Sequence, residues 1–136
     1  WMPNMAEARI LREEGDTRIV YQRVSPPIVD DRDYTLRIVA FEDQETGVFE
    51  QRLSLANDRG PPPVDGVVRV LVVEGGWLLE PVGKNKTRIL YWLHTDPGGA
   101  VPGWAFNVGQ QYTLPDQIEA LRRRAGADVS SGTPSR

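Results

Sequence analysis

The spacing of apolar residues changes once along this chain, and that change limits the fold more than any other feature. Through about the first two-thirds, apolar and polar side chains alternate in short runs separated by Gly, Pro and Asp, as in half-buried strands. From Val101 to Ala125 the spacing turns helical, with Leu114, Ile118, Leu121 and Ala125 on one stripe. Strands joined by hairpin-length connections form an antiparallel meander. A single helix after such a sheet must bury its stripe against the sheet's apolar face. The economical solution curves the sheet around the helix. The expected class is therefore α+β, a curved antiparallel sheet of six strands wrapped around a long C-terminal helix.

The punctuation sets the boundaries. Ala6 to Glu14 ends at Gly15-Asp16 and Thr17 to Ser25 follows, which predicts a hairpin. Pro26-Pro27 breaks the pattern, and Asp30-Asp31-Arg32-Asp33 leads into a third strand, Tyr34 to Phe41. A fourth spans Val48 to Asn57. Asp58 to Gly66, with Pro61-Pro62-Pro63 inside it, reads as a loop more mobile than the strands. The fifth strand runs from Val67 through Val73, bends at Gly75-Gly76 and resumes from Trp77 to Val82; the sixth is Thr87 to Asp96. The helix is expected from Pro102 to Ala125, with Pro115 kinking it and Gly126 ending it. Arg122, Arg123 and Arg124 in its last turn complement the helix dipole. One domain over residues 1–126 and a disordered, Ser/Gly/Pro-rich tail over 127–136 are the expected organisation.

Composition removes several function classes. The net charge of −3 argues against nucleic acid as a partner, because phosphate binding needs a basic face. With no cysteine there is no disulfide, thiol nucleophile or thiolate-held metal. His94 is the only histidine, and with Asp96 it is expected on the outer face of the sheet, in a structural or surface role. Asp30, Asp31 and Asp33 lack the spacing of a calcium loop, and neither Gly75-Gly76 nor Gly98-Gly99 stands in a phosphate-binding loop. No catalytic residue, metal or cofactor is assigned. No apolar run approaches the ~20 residues of a membrane span, and no signal-peptide pattern opens the chain, so a cytoplasmic protein is expected. Lys84, Lys86 and Arg88 crowd one hairpin tip, where they keep it soluble or make a transient membrane contact.

Four segments, in order, resemble the START (steroidogenic-acute-regulatory-related lipid transfer) family of the polyketide-cyclase-like superfamily, in a bacterial form. They are Gly15-Asp16-Thr17-Arg18-Ile19-Val20-Tyr21, then Asp31-Arg32-Asp33-Tyr34, then Val68-Arg69 with Trp77-Leu78-Leu79-Glu80-Pro81. The fourth and most specific is His94-Thr95-Asp96-Pro97-Gly98-Gly99-Ala100-Val101-Pro102, followed by Trp104 and Asn107. Together they cover roughly residues 6 to 125. The resemblance implies a helix-grip fold and a ligand tunnel between the sheet and the C-terminal helix, with that helix and the triple-proline loop as a lid. It implies apolar ligands such as sterols and phospholipids. Gln22 falls where some sterol binders carry a buried acid and Ile38 where they carry its arginine partner, so cholesterol recognition through that pair is not expected. Domains of this family have a first strand and two short helices before the point matching Trp1 to Met5. The chain is thus expected to be N-terminally incomplete, with an exposed sheet edge.

Strand phase and this register together predict the pocket. Val20, Gln22, Leu36, Ile38, Ile89, Tyr91 and Leu93 should line it, closed by the helix face holding Gln110, Leu114, Gln117 and Leu121. The fourth strand is left open, since either Leu53 and Leu55 or Arg52 and Ser54 could face inward. Gln22 in mid-strand and Gln110-Gln111 in the helix suit a cavity, because buried amides need partners and ligand sites mix apolar walls with a few polar groups. The plain alternative is that these glutamines face solvent. The expected function is binding, and transfer, of a hydrophobic small molecule such as a lipid, without catalysis. The alternative is a polyketide aromatase/cyclase-like enzyme using the same cavity, with Tyr34, Tyr91 and an inward Arg52 as donors. A third class is a protein-binding adaptor using Leu90 and Trp92 on the outer face.

Overall fold

The computed structural model describes residues 4–96, 98, 99 and 115–126. Its strands are β1 (Met5–Glu14), β2 (Thr17–Val24), β3 (Arg32–Glu42), β4 (Phe49–Leu55), β5 (Val68–Arg69), β6 (Val72–Pro81) and β7 (Thr87–Asp96). Residues 115–126 form a helix, α1. The strands make one sheet in the order β1-β2-β3-β4-β6-β7, with β5 set beside β3. The architecture is a curved antiparallel sheet with one C-terminal helix, as expected. Of the expected helix, residues 102–114 lie outside the described residues.

Local chemistry explains the connections. The β1–β2 hairpin turns through Gly15 at φ 58°, the first central position of a two-residue turn, where a II′ geometry calls for glycine. Asp43 closes the turn before β4: its Oδ1 accepts from the backbone N–H groups of Glu45 (2.9 Å) and Thr46 (3.2 Å). β4 pairs with β3 only as far as Leu55 opposite Leu36, and a 3-10 turn at Asn57–Arg59 then carries the chain away. The side chain of Asn57 takes over at that gap. Its Oδ1 accepts from the Thr35 N–H at 2.8 Å and its Nδ2 donates to the Val70 carbonyl at 2.7 Å. An amide carries both a donor and an acceptor, so it can bridge two strands that have lost their neighbour.

Two details depart from the sequence reading. The sheet has seven strands, because the apolar run from Val67 to Val73 divides into β5 and β6. β5 pairs parallel with Arg32 and Asp33, and the Val70 N–H still donates to the Asp33 carbonyl at 3.0 Å, which draws the chain in before β6 begins. The run carries one charge, Arg69, but alternation alone does not show that one strand ends there and another begins. The paired glycines, in turn, sit inside a continuous β6. They are there for room. A Cβ on Gly75 would lie 2.4 Å from the Trp92 carbonyl oxygen, and one on Gly76 2.5 Å from the Trp92 ring and from the Gln51 carbonyl oxygen.

The two sides of the sheet are held differently. On one, Leu36, Val70 and Val73 form a buried cluster, with Tyr34, Ile38 and Leu55 packed against it. On the other, Asp33 is fully buried beneath Arg69 and Tyr21. Arg69 Nε donates to Asp33 Oδ1 at 2.8 Å, while Arg69 Nη2 and the Tyr21 hydroxyl donate to Oδ2 at 3.1 and 3.0 Å. Burial, and then the Asp33 carboxylate, push the Tyr21 hydroxyl up, so it remains a donor.

Candidate functional site: one face of the sheet

Residues directly opposite each other in antiparallel strands share a face, so the registers trace one surface across the sheet. Gln22 stands opposite Tyr34, and Val20 opposite Leu36, which is opposite Leu55. Ile38 faces Leu53, which faces Gly75, which faces Leu93. Gln51 faces Trp77, which faces Tyr91, and Phe49 faces Leu79, which faces Ile89. All seven sheet residues predicted to line the pocket are therefore on this one face.

Their burial varies. Val20 and Leu36 are buried, Gln22, Ile38, Ile89 and Tyr91 are half-buried, and Leu93, on edge strand β7, is 39% exposed. On α1, Gln117 and Leu121 are half-buried together with Ile118 and Ala120. Gln110 and Leu114 lie outside the described residues.

Sequence reasoning missed half of this face. Pairing with β3 puts Phe49, Gln51, Leu53 and Leu55 beside Leu36 and Ile38, which settles the strand that phase alone left open. Arg52 consequently points to the other side, opposite Val39. Trp77 and Leu79, in the strand read as bent at Gly75-Gly76, were not among the residues expected to line the pocket. The ring of Trp77 lies 4.3 Å from that of Tyr91, centroid to centroid, at 35°. An aromatic directly after a glycine pair and across from a tyrosine was the available signal.

Two phenols on this face are unpaired. Among the described residues neither the Tyr34 nor the Tyr91 hydroxyl has a hydrogen-bond partner. Burial, with a smaller contribution from Tyr91, pushes Tyr34 up to about 12, and burial also raises Tyr91. Both are thus neutral donors and not bases near neutral pH. Across β2, β3 and β4, from the Gln22–Tyr34 pair to the Ile38–Leu53 pair, the face carries no carboxylate and no imidazole. The chain leaving β7 crosses to one end of it: a Cβ on Gly98 would lie 3.3 Å from Val68 Cγ1, and one on Gly99 3.6 Å from Arg32 Nη2.

Toward β4, β6 and β7 the opposite face is polar and open. Arg37, Val39, Arg52, Ser54, Glu74 and Trp92 line a groove there, and His94, opposite Glu74, is exposed on the same side. Residues 57–61 of the triple-proline loop are tied to this side too. A Cβ on Gly60 would lie 1.8 Å from Thr35 Oγ1, and Arg69 Nη2 donates to the Pro61 carbonyl at 3.0 Å. Thr35 alternates with Tyr34 and Leu36 along β3, so the start of the expected lid is anchored away from the candidate site. Among the described residues no cluster of three or more His, Cys, Asp or Glu could hold a metal, and no helix is long and apolar enough to cross a membrane.

Comparison with known proteins gives this geometry a context. In solved structures the chain overlays a STAR-related lipid transfer protein from Xanthomonas axonopodis with a TM-score of 0.78 and 26% identity, covering 91% of this chain and 69% of that one. Human StAR-related lipid transfer protein 5 overlays with a TM-score of 0.80 at 17% identity, over 90% of this chain and 61% of that one, a likeness of fold alone. An uncharacterised protein of Pseudomonas aeruginosa is 31% identical over 108 residues, 79% of this chain and 52% of its own length. Human START domain-containing protein 10 is 28% identical over 60 residues, 44% of this chain and 21% of its own. The chain thus spans about half, or less, of the curated relatives it matches. The START domain profile matches residues 1–128, which takes in every strand and α1, and the chain belongs to the START domain family.

Proposed function

We propose that this chain binds an amphipathic small molecule, a lipid, between the traced face of its sheet and its C-terminal helix, and does no chemistry on it. The observation that carries this is the composition of the face: a continuous apolar bed of Val20, Leu36, Ile38, Leu53 and Leu55, edged by Gln22, Tyr34 and Tyr91. Unpaired phenols beside an apolar surface suit a ligand that supplies both a chain and an acceptor. The binding unit is residues 1–126. In this reading the half-buried side of α1, with Gln117 and Leu121, closes the site, while Gln110 and Leu114, expected beside them, lie outside the described residues. Transfer between membranes would follow from transient contact of the domain with a lipid surface.

Ile38→Trp should fill the site and abolish uptake of a fluorescent acyl or sterol probe, at a folding cost of ~1–3 kcal/mol for overpacking. His94→Ala, on the opposite face, should take up probe like the wild type. Normal uptake by the tryptophan variant with loss in the histidine variant would place the site on the wrong face. Mass spectrometry of a solvent extract of the purified protein then identifies the ligand. A cyclase-like enzyme is the second reading, favoured by the two unpartnered phenols; turnover of an aromatic polyketide, lost in Tyr34→Phe and Tyr91→Phe, would establish it.

A further inference from the structure

Arg32 is 6% exposed, yet the only acceptor its guanidinium reaches among the described residues is the Asp30 carbonyl, which takes Nη1. No ion pair involves it there. The carboxylates near it in sequence are committed elsewhere: Asp31 pairs with Arg23 at 2.7 Å and Asp33 with Arg69 at 2.8 Å. Nε and Nη2 are left without an acceptor. A buried cation without a counter-charge is costly, and a guanidinium presents a planar fork that fits a carboxylate or a phosphate.

Its location is as telling as its isolation. Arg32 opposes Val24 on β2 and alternates with Asp33, so it shares the face of Tyr34, Leu36 and Ile38. Tyr34 is the next residue along that face, about 7 Å away. Polarity therefore falls steadily along β3, from a cation to a phenol to two aliphatic side chains, with Gln22 beside the phenol. That gradient matches a molecule with an anionic head and an apolar tail. Gly99 passes beside Nη2, and Arg32 itself is almost wholly removed from bulk water, which strengthens an electrostatic contact made there.

We infer that Arg32 receives the anionic head group, carboxylate or phosphate, of the bound lipid, with the tail running over Leu36 and Ile38. This rests on the lipid-binding reading above and narrows it to acidic amphiphiles. The test uses the 136-residue chain and displacement of a neutral fluorescent monoacylglycerol by oleate, lysophosphatidate or oleyl alcohol. Wild type should bind at least one of the two anions about tenfold or more tightly than the alcohol, the difference expected of one charge-assisted contact. Whichever anion leads identifies the head group. Arg32→Gln should erase the preference while leaving the alcohol unchanged. Should that variant not fold, the Arg32 Nε–Hε resonance of the wild type serves instead, and should shift with the anion and not with the alcohol. Equal binding of anion and alcohol by wild type, a preference that survives in Arg32→Gln, or a resonance that ignores the anion would each overturn the inference. Failure of the chain to bind the neutral probe or either anion would instead refute lipid binding itself, and this assignment with it.

Discussion

Removing Asp33 should cost far more than the hydrogen bonds it accepts. The Asp33 side chain is 1% exposed and that of Arg69 13%, so solvent screens their pairing little. In Asp33→Ala the carboxylate goes, and Arg69 is left buried with only the Pro61 carbonyl, while Tyr21 loses its acceptor. Breaking one side of a buried pair typically costs ~3–5 kcal/mol, because the remaining charge is uncompensated. Arg69→Met should cost a similar amount, since the Asp33 carboxylate would keep only Tyr21. In the double variant no charge is stranded. Its loss should be smaller than the sum of the two singles by about 2 kcal/mol or more, a coupling of the size that contacting charged residues show. The assay is urea unfolding followed by tryptophan fluorescence, with Asp33→Asn as a milder first step, because ~3–5 kcal/mol is a large share of a small domain's stability. Losses that add to within ~0.5 kcal/mol would refute the reasoning, since independent sites add to that precision.

Three further outcomes follow from the same structure. Thr35 Oγ1 is buried without a hydrogen-bond partner, so Thr35→Val should be neutral or stabilise by up to about 1–3 kcal/mol in the same unfolding assay; a clear loss would mean that the hydroxyl is satisfied. Gly60→Ala should destabilise by ~1–3 kcal/mol through overlap with Thr35, and the penalty should shrink in a Thr35→Ala background. Tyr34 ionises at about 12 when folded against 10.0 as the ordinary value, so above 10 the unfolded chain loses its proton first. Stability should be unaffected below pH 10, fall between 10 and about 12, and fall less steeply in Tyr34→Phe; an equal alkaline loss in both proteins would assign it to other groups.

What the linear chain determined here is local: where strands and turns lie, and which residues alternate. Gly15-Asp16 places the first hairpin, and alternation in β7 between Ile89, Tyr91, Leu93 and their neighbours assigns its two faces, because both depend only on backbone geometry within a few residues. The segment around Gly98-Gly99 also carried the family resemblance. Tertiary structure decided whatever depends on pairing between distant residues. The inward side of β4, left open in the sequence reading, follows from Leu53 meeting Ile38 and Leu55 meeting Leu36, although the alternation of Phe49, Leu53 and Leu55 with Glu50, Arg52 and Ser54 already pointed that way. The roles of Gly75 and Gly76 follow from Trp92 lying against them, a contact that comes from the neighbouring strand. Asn57, read as the end of a strand, became a bridge between β3 and Val70. Arg32 and Asp33, adjacent in the run that leads into the third strand, were sent to opposite faces by the pleat, Asp33 to the buried pair with Arg69 and Arg32 to the face of the candidate site. Side-chain direction alternates with each residue, but only packing against distant segments turns that alternation into partners, burial and a binding surface.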